Sequence, residues 1–300
     1  MINYVTLITK KLLRYGGGMN NLKIGVMVES FRFSTYEGIA KAAEVGARGI
    51  QMYTLKETHP DQLSKLQRKN LLEYIKSFGL VVSALCGDFG GFGLEKAKDN
   101  PEKIRQIKQA IDLAVDLETR IVTTHIGTIP VNDADPVYQT LFAACAELAN
   151  YAERAGITFA IETGPEASST LKKFIEAINS KGIGVNFDPA NLRMVTGEDA
   201  VYAAENLKKY IVHIHAKDGI QLRKIEPVKI YHYFAGENPD NINIDDYFKE
   251  VPLGTGQVDF PGFIKVLQKS GYDGFYTIER EVGENPVQDI QEAVSFLQKM

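Results

Sequence analysis

The stretches ITFAIE (157–162), IGVNFD (183–188), IVHIHA (211–216) and FYTIER (275–280) decide the fold. Each is a short, nearly continuous run of apolar, β-branched and aromatic residues, which is how a strand buried on both faces reads. At or near the C-terminal end of each run stands a side chain able to bind a metal: Glu162, Asp188, His215 and Glu279. Outward from these four, LKIGVMV (22–28), RGIQMY (48–53), LVVSAL (80–85) and RIVTTHIG (120–127) have the same character. Between the runs, apolar residues recur at helical spacing. In 61–78, for example, Leu63, Leu66, Leu71, Leu72 and Ile75 share a face and Gly79 supplies the stop. The other helical segments are 36–46, 101–117, 135–156, 169–180, 198–208, 261–270 and 286–299.

Eight strand–helix units in a chain of 300 residues, with no domain-scale linker, predict a single-domain α/β protein, a (β/α)8 TIM barrel over residues 21–300. The competing arrangement is an open, doubly wound sheet. No GxGxxG turn follows any of the strands, and ligands on four successive strands converge naturally only if the sheet closes. Residues 1–20 read as an extension outside the barrel, set off by Gly16, Gly17 and Gly18; a short helix across the barrel bottom is the other reading. The rhythm breaks once, between Gly219 and Val258, where an insertion holds Tyr231, His232, Tyr233 and Phe234 and runs into PLGTGQVDF (252–260). Its length and its place after a ligand-bearing strand put it at the barrel mouth, where it would close the pocket or join like chains into an oligomer.

Composition narrows the function. The apolar fraction of 44% and charged fraction of 24% are those of a soluble globular protein. A net charge of -4 argues against nucleic acid as the main partner. No apolar run approaches the roughly 20 residues of a membrane span. The N-terminus also lacks the h-region and cleavage site of a secretory signal. Cys86 and Cys145 stand far apart and suggest buried thiols rather than a disulfide or a zinc site, which agrees with a cytoplasmic setting.

An acidic residue after a strand is often only a helix cap or a salt-bridge partner. Three carboxylates and an imidazole on four successive strands suggest instead one divalent ion at the mouth. The hard oxygen donors lean towards Mn²⁺, with Mg²⁺, Co²⁺ and Zn²⁺ compatible. IETG (161–164), NFDPAN (186–191), HIHAKD (213–218), PLGTGQVDF and IER (278–280) are also the points at which the chain resembles the xylose-isomerase-like superfamily of sugar phosphate isomerases and epimerases. The likeness covers nearly everything after residue 21. It is nearest to small bacterial sugar isomerases, ketose 3-epimerases and inositol-catabolism enzymes. The resemblance implies that Glu162, Asp188, His215 and Glu279 hold the metal. In HIHAKD the later histidine matches the family ligand, while His213, two residues back on the same face, lies one layer deeper. Ketose 3-epimerases often carry a substrate-contacting His where this chain has Asn191, which can donate a hydrogen bond but cannot carry a proton. That departure counts against a free-ketose 3-epimerase in particular.

The chemistry expected is a metal-dependent isomerase or epimerase acting on a sugar, a sugar phosphate or another small polyol. It would work by proton transfer through an enediolate, with Glu162 and Glu279 as the acid–base pair. Loss of a β-hydroxyl from the same enolate would make the protein a dehydratase of a keto-inositol or keto-acid. His125, Asn191, Lys217, Tyr53, Glu29 and Asp88 are candidate substrate contacts, and each can also be read as a loop anchor or salt-bridge partner. Endonuclease IV shares this barrel, but it needs a multi-metal cluster with more histidines than the five present here. A non-catalytic sugar-binding protein would not need the intact four-ligand set.

Overall fold

Strand alternation decides what each barrel strand presents. In a computed structural model, which describes residues 22–300, β1 (Lys23–Met27), β2 (Gly49–Tyr53), β3 (Val81–Cys86), β4 (Ile121–Thr124), β5 (Thr158–Glu162), β6 (Ile183–Phe187) and β7 (Ile211–Ala216) pair in parallel. The expected extension over residues 1–20 lies outside the described residues. A short antiparallel pair follows, β8 (Asp218–Gln221) with β9 (Phe248–Val251), and β10 (Phe275–Ile278) completes the barrel. The closed order is β1-β10-β7-β6-β5-β4-β3-β2. Phe159, Ile161, Val185, Phe187, Ile214, Tyr276 and Ile278 are buried in the layer between strands and helices, as in the Phe187–Phe263 ring contact at 5.7 Å. The residues alternating with them, such as Asn186, His213 and Thr277, fall on the inward face and are buried too. Gly49 makes room for the barrel bottom: a Cβ there would lie 2.5 Å from the Phe275 ring.

The outer ring comprises α1 (Thr35–Glu44), α2 (Lys65–Ser77), α3 (Asn100–Asp116), α4 (Pro136–Ala155), α5 (Ser168–Ile178) and α6 (Ala200–Leu207). After α7 (Pro227–Phe234) in the insertion come α8 (Phe260–Ser270) and α9 (Pro286–Leu297). The segment expected as one helix over 61–78 is divided. A 3₁₀ turn spans Pro60–Gln62, and α2 starts after Ser64, whose hydroxyl accepts from Gln67 N while Gln67 bonds back to Ser64 N. This capping box resets the helix start. No helix among the described residues is long and apolar enough to cross a membrane.

The insertion is ordered. Its hairpin, β8 with β9, and its helix α7 stand over the C-terminal mouth, where Ile230, Tyr231, Phe234 and Phe248 line the central cavity. Across the mouth, His232 Nε2 meets Glu95 Oε2 at 3.1 Å, and Glu95 Oε1 accepts from Thr128 N at 2.6 Å. Lys96 pairs with Glu237 at 3.3 Å. The exit from the insertion is pinned by one side chain. The buried Asp218 carboxylate accepts from Gly219 N (2.8 Å), Gly254 N (3.0 Å), Gly256 N (2.8 Å) and Val258 N (3.2 Å). Gly256 must be glycine, because a Cβ would lie 2.2 Å from the carboxylate. The HIHAKD and PLGTGQVDF segments are therefore two halves of one structural device.

Replacing Asp218 with Ala strands four inward-facing amide groups. The expected loss of unfolding free energy is about 2–4 kcal/mol. Denaturant titration reads it directly, and a midpoint equal to that of the parent chain would show that the pin is dispensable.

Candidate metal centre

β5, β6, β7 and β10 are neighbours in the barrel, and their C-terminal ends bring Glu162, Asp188, His215 and Glu279 together. One ligand atom from each lies within 4.8 Å of the other three, and all four residues are buried. His215 Nδ1 stands at the centre of the group, 3.3 Å from Glu162 Oε1, 3.8 Å from Asp188 Oδ2 and 3.2 Å from Glu279 Oε2. Atoms bound to a shared ion at about 2.0–2.3 Å are at most about 4.6 Å apart. The set therefore closes on a single divalent ion with side-chain shifts of a few tenths of an ångström. Buried Asp188 Oδ2 and His215 Nδ1 make no hydrogen bond, although buried polar atoms nearly always do. Both are aimed at the point where an ion would sit, so the residues fit a divalent metal.

A second layer holds the ligands in place. Gln51, from β2, is wholly buried, and its amide nitrogen donates to Thr123 Oγ1 at 2.9 Å. Its oxygen is therefore free to accept from His215 Nε2 at 3.0 Å and His213 Nε2 at 2.8 Å. That assignment keeps a proton on His215 Nε2, so Nδ1, which faces the carboxylates, is the nitrogen that gives up its proton when an ion binds. His213 is one layer deeper, and burial pushes its pKa down to about 3, keeping it neutral. Asn186 donates to Glu162 Oε2 at 2.9 Å, and Asn191 donates to Glu162 Oε1 at 3.0 Å. Asp188 Oδ1 accepts from Ala190 N and Asn191 N, which caps the short helical turn Pro189–Asn191 and turns Oδ2 inward. Thr163 Oγ1 bonds both Asp188 N (2.8 Å) and Asp188 O (2.9 Å), tying the ends of β5 and β6 together.

Close packing of three carboxylates sets the electrostatics. Burial pushes Asp188 up to about 7, helped by the negative charges of Glu162 and Glu279 and opposed by Lys217. Burial also works to raise Glu279 and Glu162, but neighbouring cations prevail. His215 and Lys217 bring Glu279 down to about 2, and His125 and His215 hold Glu162 well below the usual carboxylate range. In turn, burial opposes the protonation of His125 and His215, yet the carboxylates around them raise both well above the ordinary imidazole value. Lys217 is buried and charged, 3.1 Å from Glu279 Oε2, 3.9 Å from Asp188 Oδ2 and paired with Glu281.

Above the four residues opens a cavity of about 540 Å³, within the range of small-molecule sites. His125 bridges the metal ligands and the wall, with Nε2 3.3 Å from Glu162 Oε1 and Nδ1 3.0 Å from Asp88 Oδ2. His125, Asp88, Tyr53, Asn191 and Lys217 all line the cavity. Glu29 does not; its Oε1 accepts from Tyr53 N at 3.0 Å, its other oxygen is buried without a partner, and burial pushes its pKa up to about 7. Sequence reasoning missed Gln51 and Asn186, which lie mid-strand, and Glu281, two residues past Glu279. The signal for the first two was a polar side chain inside an otherwise apolar strand.

Comparison with known proteins agrees with this architecture. The sequence profile of the xylose isomerase-like TIM barrel family matches residues 39–300. An uncharacterized protein of Methanocaldococcus jannaschii is 25% identical over 187 residues, 58% of this chain and 55% of that protein, so the match spans about half of the relative. A putative L-ribulose-5-phosphate 3-epimerase of Escherichia coli is 27% identical over 297 residues, 93% of this chain and 96% of the relative. An inosose dehydratase of Lacticaseibacillus casei is 27% identical over 119 residues, 40% of this chain and 37% of that enzyme. Among solved structures, a xylose isomerase domain protein from Planctomyces limnophilus superposes with a TM-score of 0.74 at 23% identity, covering 94% of this chain and 97% of the other.

Ion binding at this centre must displace the His215 Nδ1 proton and ionise Asp188. The affinity for Mn²⁺ is therefore expected to fall as the pH drops, already above neutrality where His215 keeps its proton and more steeply below about 7 where Asp188 gains one, with protons released on binding. Calorimetric titration in buffers of different ionisation enthalpy measures both effects. Affinity that is independent of pH would place the ion elsewhere.

Proposed function

The chain belongs to the xylose isomerase-like TIM-barrel family, and on that premise we propose that it is a divalent-metal-dependent isomerase or epimerase of a sugar or sugar derivative. The observation that carries this reading is the buried Glu162–Asp188–His215–Glu279 group opening into a ligand-sized cavity whose wall combines apolar side chains with a few polar ones. Those four residues would hold the ion. Mn²⁺ is favoured because three of the four donors are hard carboxylate oxygens. When bound, such an ion supplies Lewis-acid polarisation of a carbonyl group.

The remaining work falls to side chains. Removing a proton from the carbon beside a carbonyl needs a base at that carbon, and returning it at the other face or at the next carbon needs an acid there. Glu162 and Glu279 both line the cavity and come from strands separated by β6 and β7, so they approach a bound substrate from two sides. Glu162 is held by Asn186, Asn191 and His125, and Glu279 by Lys217. His125, relayed to Asp88, can pass a proton to or from a substrate hydroxyl, and Lys217 sets a positive charge beside the enediolate. The likeness over 93% of this chain to a putative L-ribulose-5-phosphate 3-epimerase supports an epimerase. A dehydratase is the second reading, favoured by the partial likeness to an inosose dehydratase and by a His125–Asp88 pair able to protonate a leaving hydroxyl.

Glu162→Gln and Glu279→Gln keep the shape and remove the basicity. Each is expected to lower kcat by at least about 10²-fold while metal binding weakens less. The assay is exchange of the substrate's carbon-bound hydrogen with D₂O across ketoses, ketose phosphates and inososes. An isomerase or epimerase incorporates deuterium without losing water, whereas a dehydratase gives a product lighter by one water. Near-normal rates in both Gln variants would sink the two-carboxylate mechanism.

A further inference from the structure

We propose that the substrate joins a polyhydroxy carbonyl head to an apolar group, an aryl or alkyl substituent held away from the reacting carbon, and that the insertion after β7 is the part of the chain that recognises this group. The inference rests on the isomerase reading above and adds to it what the far end of the substrate carries.

The cavity wall changes character with the element that supplies it. Its polar side chains Tyr53, Asp88, His125, Asn191 and Lys217 stand at or just past the ends of barrel strands, around Glu162 and Glu279. The insertion contributes a different surface. Ile230 and Phe234 of α7 lie four residues apart and so share one helix face, with Pro227 a turn earlier, and all three line the cavity. The polar residues of the same helix are engaged elsewhere: Lys229 pairs with Asp240 at 2.8 Å, and His232 meets Glu95. Tyr231 is the one residue of α7 that brings a polar tip to the cavity. Ile244 and Phe248, on the returning segment, continue the apolar side. From the barrel, a π-helical turn over Leu192–Thr196 adds Met194 and Val195, whose carbonyl groups are taken up by Gln221 Nε2 at 3.3 and 3.5 Å. π-Helical turns of this kind are frequent at functional sites. The charged groups on this side are either exposed at the rim, as Asp245 and Lys249 are, or already paired, as Glu250 is with Arg280 and Glu281 with Lys217.

Two physical constraints follow from that arrangement. The first is size. A single hexose occupies roughly 200 Å³, the share of about seven liquid waters, whereas the cavity holds about 540 Å³. With its carbonyl at the metal ligands, such a sugar reaches the polar wall and leaves most of the insertion side untouched. Further hydroxyl groups placed there would lose water and find few partners, which is unfavourable, whereas an apolar group placed there gains by leaving water. The second constraint is exposure. Phe234 is 67% exposed and Val282 48% exposed, although both line the cavity. Phe234 already contacts the rings of Tyr233 at 5.5 Å and Phe248 at 6.4 Å, so an aromatic group entering here extends an existing cluster. Large apolar side chains kept in water around the opening of a ligand cavity mark a binding surface. Because this surface is continuous with the polar wall around the metal ligands, one molecule with two unlike ends covers both.

The test uses the full chain loaded with Mg²⁺ and a series of ketohexoses and inososes in three forms: unmodified, as a methyl ether and as a benzyl ether of a hydroxyl remote from the carbonyl. Kd is read by calorimetry. The benzyl ether is expected to bind at least about tenfold more tightly than the methyl ether of the same sugar, as burial of a phenyl ring would give. Benzyl and methyl ethers of equal affinity throughout the series, or a failure of every benzyl ether to bind, would overturn the inference. Phe234→Ala, at a position exposed enough to leave folding intact, is expected to narrow the preference by about fivefold. An unchanged preference would overturn the role given to the insertion. Sedimentation of both chains is measured as well: an oligomer that Phe234→Ala dissociates would assign this face to a second copy and overturn the proposal. Deuterium exchange is recorded alongside. A benzyl ether bound tightly without exchange supports the inference and counts against the isomerase reading, whereas binding and exchange confined to the unmodified sugars uphold that reading and overturn the inference.

Discussion

Three carboxylates forced within a few ångströms of one another, out of water, are the constraint on which the rest of this structure depends. Left alone, Glu162, Asp188 and Glu279 would repel one another in a medium that screens them poorly. The chain answers with positive charge at the same spot: His215 at the centre of the three, Lys217 beside Glu279 and Asp188, and His125 beside Glu162. The compensation is uneven. Glu162 and Glu279 are held ionised, whereas Asp188 is pushed to about 7 and keeps an unpartnered oxygen. A cluster in this condition is poised to take a cation in place of protons, which is the property a metal-dependent enzyme requires.

That poise needs rigid support, and the barrel provides it. Gln51 and Thr123, on strands across the interior from β7, reach beneath the ligands to fix the His215 ring. Thr163 clamps the end of β5 to that of β6, and two asparagines hold the Glu162 carboxylate from either oxygen. Apart from Asn191, which also lines the cavity, these groups serve the ligands alone. They make the geometry of the four ligands a property of the sheet rather than of flexible loops, which is how precise sites are held.

A different balance governs the cover of the site. The insertion after β7 packs α7 across the mouth. Its hairpin is rooted by the Asp218 pin, by the buried Glu250–Arg280 pair and by Gln221 on the Met194 carbonyl, and two further contacts, His232 to Glu95 and Lys96 to Glu237, hold the α7 end. The pin is buried and multiply bonded, whereas the other two contacts, a hydrogen bond and an ion pair, are partly exposed and of small individual strength. The lid is thus anchored firmly at its root and lightly at its tip. The same aspartate fills the backbone nest of the 254–258 turn, so one residue fixes both the start and the exit of the insertion.

The sequence by itself determined the eight strands, their order and the convergence of Glu162, Asp188, His215 and Glu279, because buried parallel strands write their apolar runs directly into the chain and barrel closure brings consecutive strand ends together. Strand alternation likewise turns Arg280, next to Glu279, away from the interior and onto Glu250 and Asp289. Only the tertiary structure decided that Gln51 orients His215, that Glu29 supports the Tyr53 backbone rather than lining the cavity, and that the glycine turn at 254–256 is filled by Asp218. These pairings join residues 24 to 164 positions apart and follow no periodicity. A hydrogen bond across a barrel depends on where two strands end up in space, and a single sequence records each strand's own pattern but not the partner that closure will set opposite it.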